Sequence, residues 1–245
     1  MRIYLDVALE SLVGQEITLP DAQARHVGRV MRAREGQSLR LFDGRGGEVE
    51  ALVSSVARRQ VDVSIVSLHE PLPESPLRVH LGQVVSKGER MDFVVQKATE
   101  LGVAEITPLY SERADVRLND EREAKKLAHW RAVAISACEQ CGRAWLPRIN
   151  PPCRLSDWLE GEHGPLRWIL HPGEAADSAE ADVFGADVSR ETSLLIGPEG
   201  GFSEAEVELA RRRDFMPRTF GPRILRTETA PLVALSILQS RYGDL

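Results

Sequence analysis

The sequence predicts a two-part α/β protein: a small antiparallel β-barrel over residues 1–72, then a larger domain with a parallel sheet over residues 73–245. Three observations predict it. Short strand-like runs divided by turn residues fill the first part. The stretch Glu70-Pro71-Leu72-Pro73-Glu74-Ser75-Pro76 has the proline-rich, acidic composition of an extended connector. Beyond it, apolar strands alternate with helices, the pattern of an α/β fold. A length of 245 residues suits one or two domains, and 42% hydrophobic with 28% charged residues excludes disordered and fibrous classes.

The elements follow in order. Residues 21–32 place Val27, Val30 and Met31 at helical spacing, which predicts a short amphipathic helix. Arg25, Arg29 and Arg32 then fall at i, i+4 and i+7 as a basic stripe, extended by Arg34. A solvated helix face has the same pattern. Residues 37–42, 48–53 and 60–66 read as strands, and Asp43-Gly44-Arg45-Gly46-Gly47 supplies the positive-φ positions of a hairpin loop. In the second part, residues 79–85, 106–110, 168–170 and 193–196 read as strands, with helices over 91–101, 121–141 and 231–241. Strands apolar on both faces belong in a parallel sheet whose ligand sites form at the carboxyl ends.

Asp6 and Glu10 interrupt the N-terminal run before it reaches signal-peptide length, and no segment approaches the roughly 18 apolar residues that cross a bilayer. A cytoplasmic location and no membrane partner are expected. Cys138, Cys141 and Cys153 are too few for a disulfide framework, and the Cys138–Cys141 CxxC lacks a second ligand pair, so no metal is expected. The net charge of −6 runs against a nucleic-acid partner. Its distribution does not: among 31 basic residues only Lys87, Lys97, Lys125 and Lys126 are lysine, and the rest are planar guanidinium groups.

Several strand ends carry chemistry. Ile196 leads into Gly197-Pro198-Glu199-Gly200-Gly201-Phe202, and Ser203-Glu204-Ala205-Glu206 then reads as a capping box that starts a helix. Glycines there admit a ligand to bare backbone. The spacing is neither a Walker loop nor a dinucleotide fingerprint, and Glu199 disfavours phosphate while tolerating a cationic ligand. A turn made only for tight packing has the same glycines. Leu170-His171-Pro172-Gly173-Glu174 and Arg226-Thr227-Glu228-Thr229-Ala230-Pro231 are further loops of this kind, and neighbouring strands would bring all three to one pocket. Lys87-Gly88-Glu89-Arg90 and Glu139-Gln140-Cys141-Gly142-Arg143 add charged segments that ordinary capping explains equally well.

The basic helix with His26 and Arg29, Lys87-Gly88 followed by Gln96-Lys97-Ala98-Thr99-Glu100-Leu101-Gly102, Glu139-Gln140 with Arg143, Leu195-Ile196-Gly197-Pro198-Glu199-Gly200-Gly201-Phe202 and Ile224-Leu225-Arg226-Thr227-Glu228-Thr229-Ala230 together carry a resemblance. Over its whole length the chain resembles the SPOUT-type methyltransferases that methylate N3 of a uridine in 16S ribosomal RNA of the small subunit. The resemblance implies a PUA-like RNA-binding barrel, a domain with a trefoil knot around S-adenosylmethionine, and a homodimer. It implies cofactor contacts from Leu170, His171, Leu195, Ile196, Gly197, Pro198, Glu199, Gly200, Gly201, Ile224, Leu225, Arg226, Thr227 and Ala230. Arg226, Glu199 and Glu228 are the candidate catalytic residues, and Arg25, His26, Arg29, Arg32, Arg34, Lys87, Arg90 and Arg143 the candidate RNA contacts. Two rivals remain: methylation of transfer RNA or another base, and a non-catalytic RNA-binding factor of ribosome assembly.

Overall fold

A computed structural model describes residues 1–114, 120–171 and 190–245 of the chain. They fall into two compact units, Met1–Glu74 with Ile135–Leu146, and Ser75–Ala134 with Pro147–Leu245.

The first unit contains β1 (Arg2–Tyr4), β2 (Glu16–Thr18), α1 (Asp21–Arg25), β3 (Ser38–Phe42), β4 (Glu48–Val56) and β5 (Val61–Leu68). Its five-stranded sheet has the order β1-β3-β4-β5-β2. β1 pairs parallel with β3 and the other pairs are antiparallel. Alternate residues of β3 and β5 turn inward, so Leu39, Leu41, Val61, Val63 and Ile65 are all buried in one apolar core. The expected hairpin loop is present. Asp43 Oδ1 accepts from the amides of Arg45 (2.7 Å) and Gly47 (2.9 Å), and Gly46, at φ 97°, lies where the Trp145 ring leaves no room for a Cβ.

The helix expected over 21–32 is corrected. It is α-helical only to Arg25; His26–Val30 is a π-turn closed by Met31 N donating to His26 O (2.9 Å), and Arg32 adopts φ 51°. Arg25, Arg29 and Arg32 therefore do not share one α-helical face. Packing overrides the local spacing here. Val27 and Ala33 are buried, and the turn lies so near the sheet that a Cβ on Gly28 would touch Val61 at 3.4 Å.

The second unit is built from β6 (Arg78–Val84), α2 (Arg90–Glu100), β7 (Glu105–Tyr110), α3 (Asp120–Cys141), β8 (Arg148–Ile149), β9 (Cys153–Arg154), α4 (Leu155–Leu159), β10 (Leu166–Leu170), β11 (Glu191–Ile196), α5 (Glu204–Arg211), β12 (Met216–Arg218) and α6 (Ala230–Tyr242). The end of α3 is grouped with the first unit. There Arg2 grips Glu48 through two hydrogen bonds (2.9 and 3.1 Å) and donates to the carbonyls of Cys138 (2.8 Å) and Arg143 (3.1 Å).

The second sheet has the order β12-β10-β11-β6-β7-β8, with β9 beside β7, and every pairing is parallel. The expected strands at 79–85, 106–110, 168–170 and 193–196 correspond to β6, β7, β10 and β11. The strands β8, β9 and β12 were not expected, since two or three residues carry no readable period. Gly82 in β6 lets the Trp158 ring lie against the strand, within 2.8 Å of where a Cβ would sit.

Candidate functional site

β10 ends at Leu170 and β11 at Ile196, neighbouring strands in register at those residues. The segment before α6 reaches the same edge. Together they enclose a pocket of about 400 Å³, whose walls include Leu170, His171, Ile196, Gly197, Pro198, Glu199 and Gly201. Phe202, Ile224, Leu225, Arg226, Thr227, Glu228 and Ala230 complete it with Arg90. The three strand-end loops thus converge as neighbouring strands require. Pro172, Gly173 and Glu174 lie outside the described residues.

Local chemistry shapes the central loop. A Cβ on Gly197 would stand 3.0 Å from the Phe202 ring, and Gly201 turns the chain at φ 68° with its amide donating to Pro198 O (2.9 Å). The predicted capping box is present: Ser203 Oγ accepts from Glu206 N, and Glu206 accepts from Ser203 N (2.9 Å). Buried Glu206 also accepts from Glu112 N (2.8 Å), and Arg113 donates to the carbonyls of Gly200 (3.3 Å) and Phe202 (3.2 Å). Across the pocket, Thr227 Oγ1 donates to Gly197 O (2.6 Å).

Charge gathers on one wall. Arg90 pairs with Glu199 and lies 3.9 Å from Glu228, which in turn is 3.9 Å from Arg226. The side chain of Arg226 is 80% exposed and that of Glu228 only 18%, so the arginine reaches outward while its partner stays in the wall. His171 Nδ1 is buried with no hydrogen-bond partner among the described residues. Arg90 and Glu228 also border an open depression with Lys87, Gly88, Glu89, Phe93 and Thr229, and the Phe93 side chain is exposed there.

Not every expected residue lines the pocket. Leu195 is fully buried in the core beneath the loop, and Gly200 faces Arg113 instead. Arg90, expected as an RNA contact, is placed in the pocket wall by its pairing with Glu199. Phe202 lines the pocket and was overlooked as a contact, although its position next to two glycines was visible. Arg25, His26, Arg29, Arg32 and Arg34 are exposed on the first unit; Arg143 is half-buried and its carbonyl is held by Arg2. Burial pushes the Cys138 thiol up to about 12 and the Cys153 thiol to about 11, which favours the protonated form of both. Among the described residues no cluster of three metal-ligating side chains occurs, and no helix is long and apolar enough to cross a membrane.

Fold and pocket define an α/β protein with a pocket at the carboxyl ends of parallel strands. The RNA methyltransferase domain family matches residues 73–239, the RNA methyltransferase PUA domain family matches residues 19–66, and the chain belongs to this family of RNA methyltransferases. It is 35% identical over 244 residues to the ribosomal RNA small subunit methyltransferase E of Buchnera aphidicola subsp. Schizaphis graminum, covering 100% of this chain and 97% of that protein. The Bacillus subtilis protein of the same name is 33% identical, with coverages of 93% and 88%. Among solved structures, a Legionella pneumophila methyltransferase in complex with the bound cofactor SAM aligns at TM-score 0.92, with 43% identity and coverages of 100% and 98%. The Neisseria gonorrhoeae ribosomal RNA small subunit methyltransferase E bound to S-adenosyl methionine aligns at 0.91, with 39% identity and coverages of 99% and 98%.

Proposed function

We propose that the chain is an S-adenosylmethionine-dependent methyltransferase acting on N3 of a uridine in 16S ribosomal RNA. The observation that carries the reading is the pocket where three strand-end loops meet. Its volume of about 400 Å³ lies in the range of small-molecule sites. Leu170, Ile196, Phe202, Ile224 and Leu225 offer an apolar bed, the glycine turn offers bare backbone, and Glu199 and Glu228 suit a cationic sulfonium. His171 Nδ1, buried and without a partner among the described residues, is a polar atom that a ligand group would satisfy.

When bound, S-adenosylmethionine supplies an electrophilic methyl group on a positively charged sulfur. The chain must orient the acceptor in line and help N3 of uracil, a weakly acidic imide, lose its proton. Arg226 offsets negative charge spreading onto the uracil carbonyl oxygens. Glu199 or Glu228 orients the base or passes its proton outward. The depression bordered by exposed Phe93 admits the base, with an aromatic face for stacking.

In the same reading, residues 1–72 form a PUA-like RNA-binding barrel with Arg25, His26, Arg29, Arg32 and Arg34 on the RNA side, and Lys87, Arg90 and Arg143 contribute further contacts. Residues 73–245 form the knotted methyltransferase domain, which acts as a homodimer in the cytoplasm. The test uses labelled S-adenosylmethionine. Equilibrium dialysis is expected to show saturable binding, and incubation with small-subunit RNA to place label on N3-methyluridine. Binding without transfer to any RNA, or no binding, would favour an assembly factor; label in transfer RNA alone would change the substrate.

A further inference from the structure

Beside the pocket, the last turn of strand β6 carries a polar side chain that sits wholly inside the protein. Gln83 is 0% exposed, in register with Ile196 on β11 and Pro108 on β7. Its amide nitrogen donates to Val84 O (3.2 Å) and to Thr227 Oγ1 (3.1 Å). A hydroxyl has a single proton, so with its oxygen accepting from Gln83, Thr227 directs that proton to Gly197 O at 2.6 Å. The central strand is thereby tied in series to two of the three loops of the pocket.

We infer that Gln83 is a positioning residue of the cofactor site, holding the Gly197 and Thr227 loops in their binding arrangement through this relay; the inference rests on reading the pocket as the S-adenosylmethionine site. The loops need such a tie. Gly197 has no side chain to fix its backbone, and Pro198 has no amide to donate. Bonds in series polarise one another, which strengthens the hold on the Gly197 carbonyl. Without Gln83 the Thr227 hydroxyl loses the donor that directs its proton to Gly197 O, and the ligand must order the loops on binding.

The fold itself does not require the glutamine. Gln83 Oε1 is buried with no partner among the described residues, and an apolar side chain of similar length removes that unmatched acceptor along with the donor. Loss of the relay should therefore register in binding rather than in stability.

The experiment compares the full chain with Gln83→Met, Thr227→Val, Thr227→Ser and the Gln83→Met/Thr227→Val double variant. Calorimetric titration with S-adenosylmethionine is paired with thermal melting of the ligand-free protein. Gln83→Met and Thr227→Val are each expected to weaken binding about tenfold, with the double variant no worse than either, as for one shared interaction. In Gln83→Met, KM for the cofactor rises and kcat at saturation holds. The melting temperature of Gln83→Met stays unchanged, and Thr227→Ser, which keeps the hydroxyl, binds more tightly than Thr227→Val. Unaltered affinity in Gln83→Met, or affinity and melting temperature falling together, overturns the inference. If Gln83→Met does not fold, Thr227→Val against Thr227→Ser decides, and equal affinity in the two overturns the inference. Hydrogen exchange on the unaltered chain separates the two levels: no cofactor-dependent protection over residues 196–202 and 224–230 refutes the site, whereas protection there with normal binding by Gln83→Met refutes only the relay.

Discussion

The two edges of the parallel sheet are made of different chemistry. At the carboxyl edge, glycine turns and outward-reaching charges surround a pocket of about 400 Å³, and polar atoms such as His171 Nδ1 are left without partners among the described residues. At the amino edge, aromatic and histidine side chains largely satisfy one another. Trp158 Nε1 donates to His80 Nε2 (3.2 Å), and His163 bonds Ser193 Oγ (3.0 Å) and Trp158 O (2.9 Å). Asn150 donates to Glu105 (2.5 Å) and Thr107 (2.8 Å). Burial lowers the pKa of His80 and takes that of His163 down to about 4, so neutral rings are built into the packing. The two ends of one sheet thus differ in local chemistry, with interlocked aromatic and histidine side chains at one and glycine turns at the other.

Breaking the amino edge should produce the largest effect. Trp158 is 6% exposed and packs on Gly82 and Phe215, so Trp158→Ala is expected to cost about 3–5 kcal/mol in urea unfolding, as for other buried aromatics. Cofactor affinity of the folded fraction should hold; a parallel loss of affinity would show that the edges are not independent. At the other end, Arg226→Ala is expected to lower turnover roughly 100-fold with S-adenosylmethionine affinity nearly intact. Calorimetry showing binding abolished, with turnover per bound complex unchanged, would assign Arg226 to the cofactor instead. Gly197→Ala sets a Cβ 3.0 Å from the Phe202 ring and should weaken cofactor binding by about tenfold through overpacking. An unaltered dissociation constant would mean that the loop relaxes freely.

The smallest effect is on pH dependence. A histidine whose folded pKa lies below its unfolded value binds fewer protons in the native state, so stability rises with pH across the interval between the two values. For His163 the contribution is complete above about 6.5 and is lost as pH falls toward about 4. His80 acts in the same direction. Partial solvent access to His163 screens the effect. His163→Gln should flatten the slope of unfolding free energy over that interval, and a slope as steep as in the unaltered chain would place its cause elsewhere.

What the sequence revealed follows from how local each signal is. The carboxyl-edge loops were legible because turn residues directly follow apolar strands, and parallel pairing of β10 with β11 then brings the loops together. The Ser203 capping box was legible for the same reason. The place of Arg90 in the pocket wall was not legible because its partners, Glu199 and Glu228, lie more than a hundred residues away in sequence. The π-turn at His26–Val30 was hidden because burial of Val27 and Ala33, not helical spacing, sets the backbone there. Gln83 lies in the strand read at residues 79–85 and carries no local signal of its own; only the fold brings Thr227 to it. The return of Ile135–Leu146 to the first unit likewise depends on Arg2 and Glu48, far back in the chain.

The claim that this carboxyl-edge pocket serves methylation of N3 of a uridine in 16S ribosomal RNA is tested most directly in cells. Small-subunit RNA would be digested to nucleosides and compared by mass spectrometry from cells with the gene, without it, and with the Arg226→Ala form. N3-methyluridine should be lost without the gene, restored by the unaltered chain, and restored poorly by Arg226→Ala. N3-methyluridine at the same level in cells lacking the gene would contradict the account.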